Sequence, residues 1–89
     1  MDMFELFARP KPCRIMVTLK DPTNTWYLSK IAVTTGTTYV YVTKLVSKLE
    51  KSGYLQIEAR GKKRVVKLTE RGLLVANAIT DLNSRLDTK

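Results

Sequence analysis

Histidine is absent from the 89-residue sequence, and cysteine occurs once, at position 13. Without an imidazole the chain has no histidine general base and no Ser-His-Asp triad, and one thiol cannot form an internal disulfide or a thiolate metal cluster. The acidic residues are scattered, without the paired spacing that acid–base catalysis requires. We therefore predict that the protein is not an enzyme and that it uses no cofactor and no metal.

The single cysteine allows two interpretations. Cys13 lies close to Lys11 and Arg14, whose charges would lower the pKa of an exposed thiol and favour a redox role. A cysteine without a second thiol or a histidine is more typical of a small buried apolar residue. The absence of such partners favours the buried position.

Long hydrophobic runs are also missing. Apolar stretches such as Leu73 to Ala76 are far shorter than the roughly 18 residues of a transmembrane helix, and the N-terminal residues do not resemble a signal peptide. We expect a cytoplasmic protein without a membrane partner. The fractions of hydrophobic residues, 44%, and of charged residues, 27%, are those of a soluble globular chain, and the length predicts one domain over residues 1–89.

Acidic residues are too few to balance the basic ones, eight against sixteen, so the formal net charge is +8. Nine basic and two acidic residues lie between positions 29 and 68, and this segment therefore carries +7 of the total. A merely solubilising surface would mix the two signs more evenly along the chain. The clustering indicates a basic face and a polyanionic partner.

Capping residues, prolines and glycines along the chain predict helices and one hairpin. Pro12 suits the first turn of a helix, Ser29, either Thr37 or Thr38, and Thr69 are candidate N-caps, and Gly53 is a candidate C-cap. The predicted elements are a short helix or turn over 2–7, a helix over 12–20, an extended piece over 26–28, helices over 30–35 and 38–52, two strands around a turn at 60–63, and a helix over 69–89.

Apolar periodicity indicates which faces are buried. In the helix over 38–52 the apolar residues recur at intervals of three and four, as on the buried stripe of an amphipathic helix. After Gly53 the period becomes alternating, which predicts two strands that each bury one face. The predicted core residues of these elements are Val42, Leu45, Val46 and Leu49, followed by Leu55, Ile57, Val66 and Leu68.

The order of these elements is that of a winged helix-turn-helix domain. Four features add to it: the small residue Ala32, the turn glycine Gly36, the run Leu49 to Leu55, and the segment Leu68 to Gly72. Through them, residues 13–75 resemble MarR-type and related archaeal winged-helix transcriptional regulators. The resemblance implies an α+β fold with a three-helix core, a β-hairpin wing and an additional C-terminal helix.

The resemblance also implies that the helix over 38–52 is a recognition helix in the major groove of double-stranded DNA. Val40 would then contact a thymine methyl group, Lys44 would reach guanine or the backbone, and Lys48 would contact a phosphate. The tyrosines have an alternative role, which is packing against a neighbouring helix or the wing. The candidate DNA-binding residues of this helix are Thr38, Tyr39, Val40, Tyr41, Thr43, Lys44 and Lys48.

The hairpin tip is the second predicted DNA contact, because an arginine on a two-stranded loop can enter the narrow minor groove. Alternatively, its charges only prevent aggregation of the strand edges. Ser29 and Lys30 are candidate contacts to the DNA backbone. The candidate residues of the wing are Arg60, Gly61, Lys62, Lys63 and Arg64.

The C-terminal helix carries Val75, Ile79, Leu82 and Leu86 at alternating intervals of four and three, which is typical of a coiled-coil seam. We predict a homodimer that binds a near-palindromic operator, although the same residues would also complete a monomer core. The predicted function is therefore that of a sequence-selective, double-stranded DNA-binding transcriptional regulator. The alternatives are a nonspecific architectural or RNA-binding winged-helix protein, and a domain that binds another protein.

Overall fold

The computed structural model describes residues 3–86, which form five helices and one antiparallel hairpin. Asp2 and residues 87–89, at the ends of two predicted helices, lie outside the described residues. The elements are α1 (Met3–Phe7), α2 (Pro10–Thr18), α3 (Leu28–Thr35), α4 (Tyr39–Lys51), β1 (Leu55–Arg60), β2 (Lys63–Leu68) and α5 (Glu70–Leu86).

Helix α2 begins at Pro10, two residues earlier than predicted. Both Pro10 and Pro12 fit into its first turn, because the first amide groups of a helix have no partner within the helix. Ile15 and Met16 on this helix are fully buried and form the centre of the core together with Ile31 of α3.

Helix α3 begins at Leu28, and the prediction that Ser29 caps it is wrong. Tyr27 is the N-cap residue, without a side-chain hydrogen bond, and Ser29 lies exposed in the first turn. The reason is a long-range contact: Tyr27 pairs with Val65 of β2, and the amide of Val66 donates to the carbonyl oxygen of Trp26 at 2.8 Å. This pairing holds residues 26 and 27 extended until the helix starts.

The turn between α3 and α4 depends on Gly36, whose φ of 67° is in the left-handed region. Thr35 is buried just before this turn. Its hydroxyl group donates to the carbonyl oxygen of Ile31 at 2.7 Å and lies 3.0 Å from that of Thr37. The buried hydroxyl is therefore fully satisfied.

Helix α4 confirms the predicted stripe and selects Thr38, not Thr37, as its cap. The hydroxyl oxygen of Thr38 accepts a hydrogen bond from the amide of Tyr41 at 3.0 Å, and Gly53 follows the C-terminus with a φ of 86°. The four predicted core residues of this helix, Val42, Leu45, Val46 and Leu49, are all buried.

The hairpin register places the predicted apolar residues on one face. Leu55 pairs with Leu68 and Ile57 with Val66, so all four pack toward the helices. Gly61 and Lys62 form the turn, with a φ of 60° at the glycine.

Helix α5 is capped as predicted. The hydroxyl group of Thr69 accepts from the amide of Gly72 at 3.0 Å and donates to the carbonyl oxygen of Gly53 at 2.7 Å. Val75 and Ile79 of this helix are half-buried against the core of the same chain. Leu82 and Leu86 are 57% and 73% exposed, so the apolar stripe continues onto the surface.

Candidate nucleic-acid interface

The first two turns of α4 present an exposed surface opposite the core stripe. Tyr39 and Val40 are 55% and 61% exposed, although both are large apolar residues. Thr43 and Lys44 follow Val40 by three and four positions, so each lies next to Val40 on the same face of the helix. Lys48 extends this exposed surface by one turn.

Two threonine hydroxyl groups in this part of α4 form hydrogen bonds within the helix. That of Thr38 is the N-cap acceptor described above, and that of Thr43 donates to the carbonyl oxygen of Tyr39 at 2.9 Å. The γ-methyl group of Thr43 is not engaged in this bond. The surface around Val40 therefore combines aliphatic groups with the ammonium group of Lys44.

The two tyrosines of α4 occupy different environments. Tyr41 is half-buried against the core, and the ammonium group of Lys11 lies 5.4 Å from its ring centroid. This position agrees with the alternative in which the tyrosine packs against a neighbouring helix. It places Tyr41 on the side of α4 that faces α2. Tyr39 lies on the side that faces the hairpin, as described next.

A cleft of about 360 Å³ separates the hairpin from the starts of α3 and α4. We name it the wing cleft. It brings together the predicted residues Ser29 of α3, Tyr39 of α4 and three consecutive basic residues of the hairpin. The lining residues are Tyr27, Leu28, Ser29, Tyr39, Lys62, Lys63 and Arg64.

Tyr27 is a residue of this cleft that the sequence analysis missed. The ammonium group of Lys63 lies 4.8 Å from the centroid of the Tyr27 ring, so the tyrosine supports the basic side of the cleft. The only sequence signal was an aromatic residue in a short extended piece before a helix, and that signal does not indicate a contact with a hairpin 36 positions later.

Two predicted basic residues are engaged elsewhere. Arg60 lies outside the wing cleft and is 3.6 Å from the carboxylate of Glu58, which also lies 3.2 Å from the ammonium group of Lys67. The hydrogen bond and charge of Lys67, followed by the charge of Arg60, hold the pKa of Glu58 below its ordinary value. Lys30 donates to Asn24 Oδ1 at 2.7 Å and lies 5.4 Å from the Trp26 ring centroid.

Three further features of the described chain are its thiol, its potential metal ligands and the apolar character of its helices. The thiol of Cys13 is half-buried, donates to the carbonyl oxygen of Phe7 at 2.8 Å, and has a pKa that burial raises, which is opposite to the shift that would activate it. Among residues 3–86, no three His, Cys, Asp or Glu side chains come together as metal ligands. In the same range no helix has the length and apolar character to cross a lipid bilayer.

The pair of helices α3 and α4, the β1–β2 hairpin and the flanking helix α5 are arranged as in a winged helix-turn-helix domain. Residues 32–80 match the model of the DUF6293 C-terminal winged helix domain, which is more than half of the chain. The protein therefore belongs to this family of winged helix domains. No curated protein matches it in sequence.

Solved structures share the whole fold. The AF1382 protein from Archaeoglobus fulgidus is 21% identical, with a TM-score of 0.87 over 99% of this chain and 100% of its own. MepR, a transcription regulator of the Staphylococcus aureus multidrug efflux pump MepA, is 17% identical, with a TM-score of 0.82 over 96% of this chain and 65% of its own. Sso10a-2, a DNA-binding protein from Sulfolobus solfataricus, is 20% identical, with a TM-score of 0.72 over 89% and 83%.

These similarities confirm the resemblance to MarR-type and archaeal winged-helix regulators. They also confirm the predicted α+β fold with a hairpin wing and an additional C-terminal helix. Because these solved structures are only 17–21% identical to this chain, their similarity establishes its fold alone.

Proposed function

We propose that the protein is a transcriptional regulator that binds double-stranded DNA sequence-selectively, with α4 in the major groove and the wing against the minor groove or the backbone. The observation that carries the proposal is the wing cleft. There the fold places the start of the recognition helix beside three consecutive basic residues, in the segment that holds +7 of the net charge. MepR as a transcription regulator and Sso10a-2 as a DNA-binding protein support this assignment.

The geometry suggests a division of roles. Ser29 and the basic residues Lys62, Lys63 and Arg64 would hold DNA phosphates across the wing cleft, since all four line it. Lys44, on the exposed face of α4, would reach the base edges, and Lys48 a phosphate. Thr38 serves the helix as its cap, and Gly61 allows the tight turn that presents the wing.

A homodimer formed by α5 completes the proposal. Val75 and Ile79 are shared with the core of the monomer, so the contact would centre on Leu82 and Leu86, which are both more than half exposed. A two-fold dimer would place its recognition helices roughly 34 Å apart and would require a near-palindromic operator.

One observation favours a nonspecific nucleic-acid-binding protein as the second candidate. Helix α4 contains no arginine, asparagine or glutamine, so Lys44 and Lys48 are its charged donors within reach of the bases, and adenine has no bidentate partner. Such a protein would depend on the wing and on phosphate contacts and would show little dependence on the exposed face of α4.

The two candidates are separated by selecting bound duplexes from a random DNA pool and comparing the affinities of selected and bulk DNA at two salt concentrations. A near-palindromic consensus that binds much more tightly than bulk DNA supports the regulator. Steep salt dependence without a consensus supports the nonspecific protein. Absence of DNA binding contradicts both and indicates that the basic face binds a protein.

Substitutions in the wing and in α4 test the separate roles of these two contact surfaces. The double substitution Lys62→Ala and Lys63→Ala should weaken binding to all sequences alike and reduce the slope of log affinity against log salt by about one for each phosphate that is no longer neutralised. Arg85→Ala removes a charge that is paired with Asp81 at the far end of α5 and serves as the control. Lys44→Ala should instead change which sequences are selected. An unchanged consensus in that variant would contradict readout by α4.

A further inference from the structure

The exposed face of α4 has an unusual chemistry for a helix that reads bases. Val40, in the first turn, is 61% exposed and lies opposite the buried stripe, so the core does not explain its presence. A β-branched residue also loses rotamer freedom in a helix, so helix propensity does not explain it. Its exposed aliphatic side chain is therefore available for a contact outside the monomer.

Thr43, one turn further along the same face, presents similar chemistry. Its hydroxyl group donates to the carbonyl oxygen of Tyr39 at 2.9 Å, and its half-buried side chain carries a γ-methyl group that takes no part in this bond. Val40 and Thr43 are three positions apart and are therefore neighbours on the helix surface. Together they form an aliphatic patch, with the Lys44 ammonium group as the neighbouring donor.

In the major groove of DNA, the C5-methyl group of thymine is the apolar feature that distinguishes one base from the others. Reading adenine with two hydrogen bonds requires asparagine or glutamine, and α4 has neither. The cytosine amino group is usually read by a carboxylate, and the single acid of α4, Glu50, lies in its last turn, whereas a contact with guanine would come from Lys44 and not from the patch. The chemistry of the patch therefore matches thymine.

We propose that Val40 and Thr43 are specificity-determining residues that read thymine methyl groups, so that each operator half-site carries thymines at the positions beneath the first two turns of α4. This inference rests on the proposed function, because it requires α4 to lie in the major groove. It extends the expected contact of Val40 with a thymine methyl group to Thr43, and it makes both residues determinants of the operator sequence.

The test compares thymine with uracil, which differ only by the C5-methyl group. Starting from the selected duplex, each thymine is replaced in turn by uracil and the affinity is measured at one salt concentration. Removing one methyl group from a buried contact should weaken binding about fourfold. We expect this loss at one or two thymines of each half-site and no change at the others.

Matched variants connect each thymine to its residue. Val40→Ala should abolish the difference between thymine and uracil at one position. Thr43→Ser, which removes the γ-methyl group and keeps the hydroxyl group that donates to Tyr39, should abolish it at a second position. Val33→Ala is the control, because Val33 is 82% exposed on the neighbouring helix α3. Circular dichroism of each variant verifies the fold.

The outcomes distinguish this inference from the function on which it rests. A clear consensus whose affinity is unaffected by uracil at every position would overturn the methyl readout and leave the regulator intact. A methyl effect that persists in both Val40→Ala and Thr43→Ser would overturn the assignment to these residues. Selection without a consensus would overturn the proposed function together with the inference.

Discussion

Replacing Gly72 with alanine would place a methyl group against the chain segment that joins α4 to β1. A Cβ atom built on Gly72 lies only 1.9 Å from the carbonyl oxygen of Tyr54, 2.9 Å from its carbonyl carbon and 3.3 Å from Cδ2 of Leu68. Nonbonded carbon–oxygen contacts are normally about 3.3 Å or longer. The two backbones would therefore have to separate by roughly 1.4 Å.

This separation acts on a hydrogen-bonded junction. The Tyr54 carbonyl oxygen accepts from the amide of Thr69 at 3.1 Å, and the Thr69 hydroxyl group bonds to both Gly53 and Gly72. Overpacking typically costs about 1–3 kcal/mol, and weakening one of these hydrogen bonds costs about 1 kcal/mol more. The higher helix propensity of alanine returns about 1 kcal/mol. Because the obstructing atoms belong to the backbone, we expect a net loss of about 2 kcal/mol in the free energy of unfolding.

Denaturant unfolding followed by the fluorescence of Trp26, the only tryptophan and a buried one, would measure this loss. In thermal unfolding it corresponds to a fall in Tm of about 8–16 °C. Ala78→Gly, at an exposed position of the same helix, calibrates the effect of propensity alone and should cost about 1 kcal/mol. If Gly72→Ala is as stable as the natural protein or more stable, the close approach of α5 to Tyr54 is refuted.

Thr38→Ala should lower the free energy of unfolding by about 1 kcal/mol because it removes the cap of α4, whereas Thr38→Ser should retain most of it in the same denaturation assay. The pKa of Glu58 is lowered from its ordinary value of 4.5, so the ionised carboxylate stabilises the folded state above that pH. This stabilisation is lost as the pH falls through the lowered pKa, and Glu58→Gln should therefore flatten the acid side of a plot of Tm against pH. Leu82→Glu should give a folded monomer in sedimentation experiments, and a dimer that survives the substitution would contradict the proposed contact.

Local patterns predicted the elements well where the chain itself supplies the determining contact. The cap at Thr69 and the buried stripe of α4 involve residues within one or two helical turns, so spacing was sufficient to find them, and it limited the cap of α4 to Thr37 or Thr38. The alternation of apolar residues likewise identified the buried face of the hairpin. In each case the interacting groups are close in sequence.

The sequence was less informative where distant segments determine a position. Helix α3 starts at Leu28 because Tyr27 pairs with Val65, and the half-burial of Tyr41 depends on its packing against the core. Lys30 donates to Asn24, a residue of the preceding loop. None of these contacts has a periodic signature, because each depends on how the elements pack and not on how they are spaced along the chain.

The Thr69 hydroxyl group closes a loop, because its bond to Gly53 joins the two ends of the hairpin at their base. Between these ends, the strands are paired from Leu55 and Leu68 to Arg60 and Lys63. The conformational entropy that remains to be lost when the wing is immobilised on a ligand is therefore confined to the tip. Ordering one backbone residue costs about 1–2 kcal/mol, so a wing anchored in this way forfeits much less of its binding energy than a free loop of equal length.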